Sequence, residues 1–110
     1  MRFKKAKGNR CEIELFKKLN SEGYVCHRVA GSGTHCQAVC DLVALKNGES
    51  LMIEVKSRRR VYKPNEDIGQ LRKMIETANR CGAKPILAVR LNFRDWQMFD
   101  LNEKIPDKVV

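Results

Sequence analysis

The chain has 110 residues, a length that suits a single domain with a modest hydrophobic core. A composition of 43% hydrophobic and 32% charged residues is typical of a globular protein and argues against a disordered chain. No apolar run approaches the roughly 20 residues of a membrane span, so no membrane partner is expected. The formal net charge of +9 favours a polyanionic ligand, most often nucleic acid.

The first 22 residues predict a basic arm followed by a helix. Residues 1–8 contain basic but no acidic side chains, and no long apolar stretch follows them, so they do not form a secretory signal and we expect a cytoplasmic protein. Apolar residues then recur at helical spacing over residues 9–22, and Gly23 is expected to end this helix. Glu12 lies in its first turn, where the helix dipole favours a carboxylate even without a functional role.

A strand over residues 24–29 and a loop over 31–34 precede a hairpin over 41–56. Two apolar runs flank Asn47-Gly48 in the hairpin, which is the strongest short signal for a two-residue turn. With these residues as the turn, the numbers of facing residues sum to 95, which places Asp41 opposite Glu54. Because side chains alternate along a strand, Lys56 shares their face, and the other face carries an apolar stripe.

Two facing carboxylates beside an apolar sheet repel each other strongly, because little water screens them. Either one of them takes a proton or a cation lies between them. Hard oxygen ligands at this spacing suit Mg²⁺ or Mn²⁺, so Asp41 and Glu54 are candidate metal ligands. The alternative is a strand end at which Asp41 faces solvent and Glu54 pairs only with Lys56.

The remaining segments complete an α/β fold. A basic loop over residues 57–63 is followed by a helix that begins at Asn65 or Asp67 and runs to about Arg80. Strands are predicted over 85–91 and 95–100, and residues 101–110 are expected to form a C-terminal tail. The order αβββαββ predicts a mixed β-sheet flanked by helices.

The motif of Asp41 followed by Glu54-Val55-Lys56 resembles the D…(E/D)-x-K core of the restriction-endonuclease-like nucleases. Further motifs, in the same order over residues 4–100, resemble the archaeal-type Holliday junction resolvases, which also occur in some viruses and phages. These motifs are Lys7-Gly8 with Glu12-x-Glu14-Leu15, Arg28-Val29-Ala30-Gly31-Ser32, Gly69-Gln70-Leu71, Pro85-x-Leu-Ala-Val-Arg and a late strand with Trp96.

The resemblance implies that residues 1–110 form a single nuclease domain with a restriction-endonuclease-like fold. It implies a homodimer that binds four-way DNA junctions and makes paired symmetric nicks in DNA recombination and repair. Mg²⁺ is the implied cofactor, Mn²⁺ is expected to substitute for it, and no organic cofactor is expected. The implied metal ligands are Glu12, Asp41 and Glu54, and the implied catalytic residues also include Ser32 and Lys56. Positive charge is concentrated in the N-terminal arm and in the loop over 57–63. Together with this charge, the resemblance predicts DNA contacts by Lys4, Lys5, Lys7, Arg10, Arg28, Arg58, Arg59, Arg60, Lys63 and Gln70.

Several alternatives stay open at this stage. Nucleases of the VRR type share the Asp…Glu-x-Lys motif, and a degenerate site would leave a DNA-binding module without catalysis. The chain departs from the resolvase pattern in a longer loop before Asp41. The five cysteines, an odd number, argue against a disulfide framework. His35, Cys36 and Cys40, with Cys26 or His27, are a weak candidate for a zinc site.

Overall fold

The computed structural model describes the backbone of residues 2–29 and 38–110, and the side chains of those ranges from Arg10 onward. The predicted order αβββαββ is confirmed, with one 3₁₀ turn added before the second helix. The elements are α1 (Arg2–Ser21), β1 (Val25–Arg28), β2 (Leu42–Lys46), β3 (Glu49–Arg58), the 3₁₀ turn (Pro64–Asp67), α2 (Ile68–Cys81), β4 (Lys84–Leu91) and β5 (Gln97–Asp100).

The five strands form one mixed sheet in the order β1-β2-β3-β4-β5. Neighbouring strands are antiparallel except for β3 and β4, which are parallel. A parallel pair needs a crossover connection, and the 3₁₀ turn with α2 supplies it. This topology confirms the α/β class and places β3, which carries the candidate site, at the centre of the sheet.

The turn at Asn47-Gly48 sets the register of the β2–β3 hairpin. Both residues have positive φ, 50° and 81°, as the tight hairpin turn requires. The ladder pairs Lys46 with Glu49 and continues to Leu42 opposite Ile53, which is the predicted register. Since one residue of slippage would exchange the two faces of the strand, this turn decides which side chains reach the candidate site.

Each face of the sheet has its own hydrophobic core. The predicted apolar stripe packs under α1, and the opposite face packs against α2 and the chain around it. The buried members of the α1-side core are Leu15, Leu19, Cys26, Leu42, Ala44, Leu51, Ile53, Ile86 and Ala88. Those of the α2-side core are Cys40, Tyr62, Leu71, Met74, Leu87, Val89, Leu91, Leu101 and Val109. Glu54 and Lys56 alternate with the apolar stripe along β3, so they face the α2 side of the sheet. The candidate site therefore lies beside the α2-side core, an apolar layer that limits access of water.

Two element boundaries and the burial of one side chain differ notably from the sequence-based expectation. The first helix begins at Arg2, so the backbone of the predicted basic arm is helical. Strand β3 continues to Arg58, because it pairs with β4 as far as Leu91. Within the predicted polar loop 57–63, Tyr62 is fully buried. Local periodicity did not reveal the last two features, because β3 pairs with β4 and Tyr62 pairs with Val109, which are partners distant in sequence.

Residues 101–110, predicted as a tail, pack against the α2-side core. Val109 is buried and forms a two-residue β-bridge with Tyr62, with backbone N···O distances of 3.0 and 2.7 Å. Leu101 is also buried. The C-terminal segment thus holds the backbone that follows β3. In the ranges that the structure describes, no helix combines the length and apolar character needed to cross a membrane.

Replacing Gly48 and Gly69 by alanine should have opposite effects on stability. A new Cβ would meet no atom within 4 Å at either position. However, Gly48 has a φ of 81°, which strains an alanine, whereas Gly69 lies in α2 without a positive φ. Gly48→Ala should lower the free energy of unfolding by about 1 kcal/mol, and Gly69→Ala should raise it by about 0.4–1 kcal/mol. Urea denaturation of the two variants checks this, and stabilisation by Gly48→Ala would contradict the turn geometry.

Candidate active site

Asp41 is fixed where β1, β2 and β3 meet. Its backbone N–H donates to the carbonyl of Ile53, and its carbonyl accepts from Val29, both at 2.9 Å. Its side-chain Oδ2 accepts a hydrogen bond of 2.8 Å from the backbone N–H of Val55. Strand β2 begins only at Leu42, so the carboxylate takes a strand N–H that the hairpin ladder leaves free. The side chain is thereby directed onto β3, beside Glu54.

Glu54 is a buried charged side chain, with only 3% of its surface exposed. Burial and, next, the negative charge of Asp41 raise the pKa of Glu54 to about 7, although Lys56 opposes this. Burial also raises the pKa of Asp41, against the Val55 N–H and the Lys56 charge. Both carboxyl groups are therefore harder to ionise than in water. This is the electrostatic conflict that the hairpin register predicted.

The free oxygen of Glu54 gives a test of whether a cation fits here. Oε1 is buried and has no hydrogen-bond partner among the described residues, whereas Oε2 lies 3.3 Å from Lys56 Nζ. A buried acceptor without a donor costs about 1–3 kcal/mol, so it needs an explanation. A divalent metal resolves both the orphaned acceptor and the repulsion from Asp41, since hard cations bind carboxylate oxygens. The residues present fit a metal ion bound by Asp41 and Glu54.

Lys56 lies two residues after Glu54 on the same face of β3, and its side chain is 15% exposed. Its Nζ also lies 3.5 Å from Oδ2 of Asp67, at the start of α2. The hydroxyl of buried Tyr62 donates to the same Asp67 oxygen at 2.7 Å. The lysine ammonium is thus shared between a carboxylate of the strand and one of the crossover connection.

Glu12 approaches the site from α1 but is engaged elsewhere. Its Oε1 accepts from Nε of Arg28 at 3.2 Å, which joins α1 to β1. Burial and, next, the charge of Asp41 raise the pKa of Glu12, and Arg28 partly offsets this. Glu12 therefore senses the charge of Asp41 and contributes a third negative group to this side of the molecule.

The predicted three-carboxylate ligand set is not assembled. Among the residues whose side chains the structure describes, no group of three or more His, Cys, Asp or Glu side chains is arranged to hold a metal ion. Asp41 and Glu54 come together as predicted, and Glu12 does not join them, because the ion pair with Arg28 holds its carboxylate. The candidate metal centre is accordingly a carboxylate pair with a third acidic group nearby.

The other predicted site residues divide into three groups. Ser32 lies outside the described residues, as do the side chains of Lys4, Lys5 and Lys7. Arg10, Arg59, Arg60, Lys63 and Gln70 are exposed. Arg28 and Arg58 already have protein partners: Arg28 pairs with Glu12, while Arg58 lies over the Tyr62 ring at 5.1 Å and 3.6 Å from Glu66. The exposed group is the surface available to a polyanion.

The cysteines do not form a zinc site in the part of the chain that the structure describes. Cys26 is buried in the α1-side core and Cys40 in the α2-side core, so the sheet separates them. Burial raises the pKa of the Cys40 thiol to about 11, which disfavours the thiolate that a metal requires. Cys11, Cys26, Cys40 and Cys81 are free thiols, and His35 and Cys36 lie outside the described residues.

Sequence reasoning missed Asp67 and Tyr62 as neighbours of the site. Asp67 was considered only as a helix cap, and Tyr62 as part of a polar loop. The available signal was the aromatic residue among basic ones, since a tyrosine within a charged segment often buries its ring. Nothing in the local pattern indicated that these side chains contact each other and Lys56.

Comparison with protein families gives one match over almost the entire chain. A family model described as archaeal Holliday junction resolvase (hjc) matches residues 3–108. A solved structure of Archaeoglobus fulgidus Hjc, a Holliday junction resolvase from an archaeal hyperthermophile, superposes with a TM-score of 0.72 at 29% sequence identity. That similarity covers 93% of this chain and 87% of the solved chain.

Curated proteins of similar sequence are crossover junction endodeoxyribonucleases. The chain is 38% identical over 94 residues to the Hjc of Methanocaldococcus jannaschii, which covers 84% of this chain and 65% of the relative. It is 33% identical over 92 residues to the Hjc of Sulfurisphaera tokodaii, covering 83% and 64%. A viral relative, from Sulfolobus islandicus rod-shaped virus 1, is 36% identical over 84 residues, covering 74% and 69%. The chain thus spans slightly less than two thirds of the first two relatives.

The free energy of unfolding of the metal-free protein should fall as the pH rises from about 4.5 to about 7. In this window the folded protein keeps a proton on Glu54 that the unfolded chain releases. A shift of this size corresponds to about 3 kcal/mol, an order-of-magnitude value. Glu54→Gln removes the titrating group, so this part of the pH dependence should be absent.

Urea denaturation in EDTA at about pH 5 and about pH 8 measures this difference. Glu103→Gln, which changes an exposed carboxylate, serves as the control and should keep the wild-type difference between the two pH values. An equal pH dependence in the wild type and in Glu54→Gln would contradict a raised pKa at Glu54.

Proposed function

This chain belongs to the archaeal Holliday junction resolvase family, and from this membership we propose that it is an endonuclease for four-way DNA junctions. It would resolve a junction by paired symmetric nicks during DNA recombination and repair, in the cytoplasm of a cell or of an infected cell. The observation that carries the proposal is the pair of half-buried Asp41 and buried Glu54 beside Lys56, with Glu54 Oε1 lacking a donor among the described residues.

Divalent metal is part of this proposal, with Mg²⁺ as the cofactor and Mn²⁺ able to substitute for it. Asp41 and Glu54 would be its direct ligands, and Glu12 would act through a bound water, because Arg28 holds its carboxylate. When bound, the ion lowers the pKa of a water molecule and offsets negative charge on the phosphate. The raised pKa values of the two ligands support a site that becomes fully ionised only when a cation compensates it.

Hydrolysis forms a bond between phosphorus and a water oxygen and breaks the bond to the leaving sugar oxygen. Lys56 can orient the attacking water through its ammonium, which has three donors, or take the proton of that water if it is itself deprotonated. Its neighbours Glu54 and Asp67 hold the ammonium beside the candidate metal ligands. Ser32 is proposed to contact the phosphate near the cut, as the family resemblance implies.

Junction binding is proposed to depend on charge and shape. The exposed Arg59, Arg60 and Lys63 follow β3 directly, and Arg10 lies near Glu12 on α1. These cations flank the candidate site in sequence on both sides. Contacts of this kind release counterions from DNA, so the affinity should fall steeply with salt. They carry no base-specific information, which agrees with a protein that recognises a branched structure.

A homodimer is proposed because two symmetric nicks require two active sites. The candidate contact residues between subunits are Met74 of α2 and the late-strand residues Trp96, Met98 and Phe99. Met74 of α2 is fully buried in the α2-side core, so it is not available for a contact between subunits. Met98 in the edge strand β5 is 43% exposed, and Phe99 and Trp96 are half-buried. The β5 edge is therefore the better candidate for the contact between subunits.

Asp41→Asn and Glu54→Gln should abolish cleavage but preserve binding. Changing an outer partner of a metal site typically costs 10- to 100-fold, so loss of a direct ligand should slow cleavage by at least about 100-fold. Single-turnover cleavage of a labelled four-way junction with Mg²⁺ measures the rate, and mobility shift in EDTA measures binding. Glu49→Gln is the matched control, since Glu49 lies at the opposite end of β3. Cleavage at the wild-type rate by Asp41→Asn or Glu54→Gln would refute the site.

Linear duplex of equal length should compete poorly for the junction-binding surface. We expect that it requires at least about tenfold more competitor than unlabelled junction does. Incubation of labelled four-way, nicked and linear DNA with Mg²⁺, Mn²⁺ or EDTA then separates the possibilities in one gel. Equal competition and equal cutting of all substrates would indicate a general nuclease, and binding without cutting in any metal would indicate a DNA-binding module.

A further inference from the structure

Asp67 stands at the N-terminal end of α2, yet its side chain does not cap the helix. Aspartate at this position usually accepts a hydrogen bond from a backbone N–H of the first turn. Here the residue has φ −122° and ψ 25°, and its carboxylate makes no such bond. Its Oδ2 instead accepts from the Tyr62 hydroxyl and lies 3.5 Å from Lys56 Nζ. The carboxylate is therefore directed away from the helix and into the candidate active site.

Tyr62 holds that carboxylate from a rigid position. The residue is fully buried, and its hydroxyl donates to Asp67 Oδ2 at 2.7 Å. Its backbone N–H and carbonyl are both paired with Val109, and the guanidinium of Arg58 lies over its ring. Packing, backbone pairing and the cation on the ring each limit movement of the tyrosine. The position of the Asp67 oxygen is fixed as a result.

The Lys56 ammonium is shared between two carboxylates. It lies 3.3 Å from Glu54 Oε2 and 3.5 Å from Asp67 Oδ2. A lysine has a long flexible stem, so a single carboxylate would draw its ammonium into a closed ion pair. An ammonium held by Glu54 alone would place its positive charge against the carboxylate that the proposed metal requires. The second carboxylate limits that pairing.

We propose that Asp67, held by Tyr62, is a positioning residue that shares the Lys56 ammonium with Glu54 and so limits how strongly the ammonium pairs with that carboxylate. Glu54 thereby retains its capacity to bind a divalent cation, and the lysine stays beside the metal ligands in a defined orientation. The role in cleavage rests on the proposed nuclease function. The placement of the ammonium can be tested without DNA or metal.

The first experiment observes Lys56 directly. Lysine labelled at Cε and Nζ is incorporated, the Lys56 resonance is assigned with Lys56→Met, and spectra are recorded in EDTA without DNA. Asp67→Asn and Tyr62→Phe should shift this resonance, because the ammonium loses one partner or that partner moves. Glu66→Gln is the control: it removes a carboxylate next to Asp67 that pairs with Arg58 and not with Lys56. An unchanged resonance in Asp67→Asn would overturn the proposal.

The second experiment measures Mn²⁺ binding by calorimetry in the absence of DNA. Asp67→Asn should weaken binding by about tenfold, the size expected for an outer partner of a metal site. In the Lys56→Met background, Asp67→Asn should have little further effect, because no ammonium remains to pair with Glu54. An equal loss of affinity in both backgrounds would show that Asp67 acts only on the structure, and would overturn the proposal.

Junction cleavage separates this inference from the proposed function. Asp67→Asn should slow single-turnover cleavage by about tenfold at saturating junction while the dissociation constant for the junction stays unchanged. Wild-type cleavage kinetics in Asp67→Asn would refute positioning and leave the nuclease proposal intact. Failure of the wild type to cut any junction would refute the nuclease proposal, while the lysine resonance would still report whether Asp67 places the ammonium.

Discussion

The repulsion between the buried carboxyl group of Glu54 and the half-buried one of Asp41, imposed by the register of one hairpin, is the constraint around which the site is organised. Asn47-Gly48 sets that register, and it brings Asp41 and Glu54 to the same end of the β2–β3 hairpin. An open strand end would relieve the repulsion through water. Here Glu54 is 3% exposed because the sheet is covered on both faces, so the conflict persists in the folded protein.

Lys56 reduces this conflict without removing it. One ammonium lies between Glu54 and Asp67, while the pKa values of Asp41 and Glu54 remain raised. Folding tolerates the arrangement because two apolar cores and a five-stranded sheet stabilise the rest of the molecule. Locally unfavourable electrostatics supported by a well-packed surround are typical of functional sites. The same features that cost stability in the metal-free protein are those from which we propose affinity for a divalent cation.

The basic residues fall into two groups that the sequence does not distinguish: some pair with groups of the protein itself, and others remain exposed. Arg28 and Arg58 hold Glu12, Glu66 and the Tyr62 ring, so they contribute to the architecture around the site. Arg59, Arg60 and Lys63 project from the segment that follows β3 and remain exposed. A phosphate backbone could recruit the first group only by replacing existing partners, whereas the second group can bind it directly. Part of the positive charge is therefore already engaged within the protein.

Sequence patterns were sufficient to predict the order of the elements, the hairpin register and the meeting of Asp41, Glu54 and Lys56 on one face. These features follow from short-range rules, namely the turn residues, the alternation of side chains and helical spacing, which need no knowledge of distant partners. Three contacts became visible only in the folded protein: Arg28 holds Glu12, Tyr62 bridges to Val109, and Asp67 faces Lys56. Such contacts depend on how helices and chain ends pack on the sheet. Packing brings together side chains that are distant in sequence or lie on separate elements, and a local sequence pattern carries no information about it.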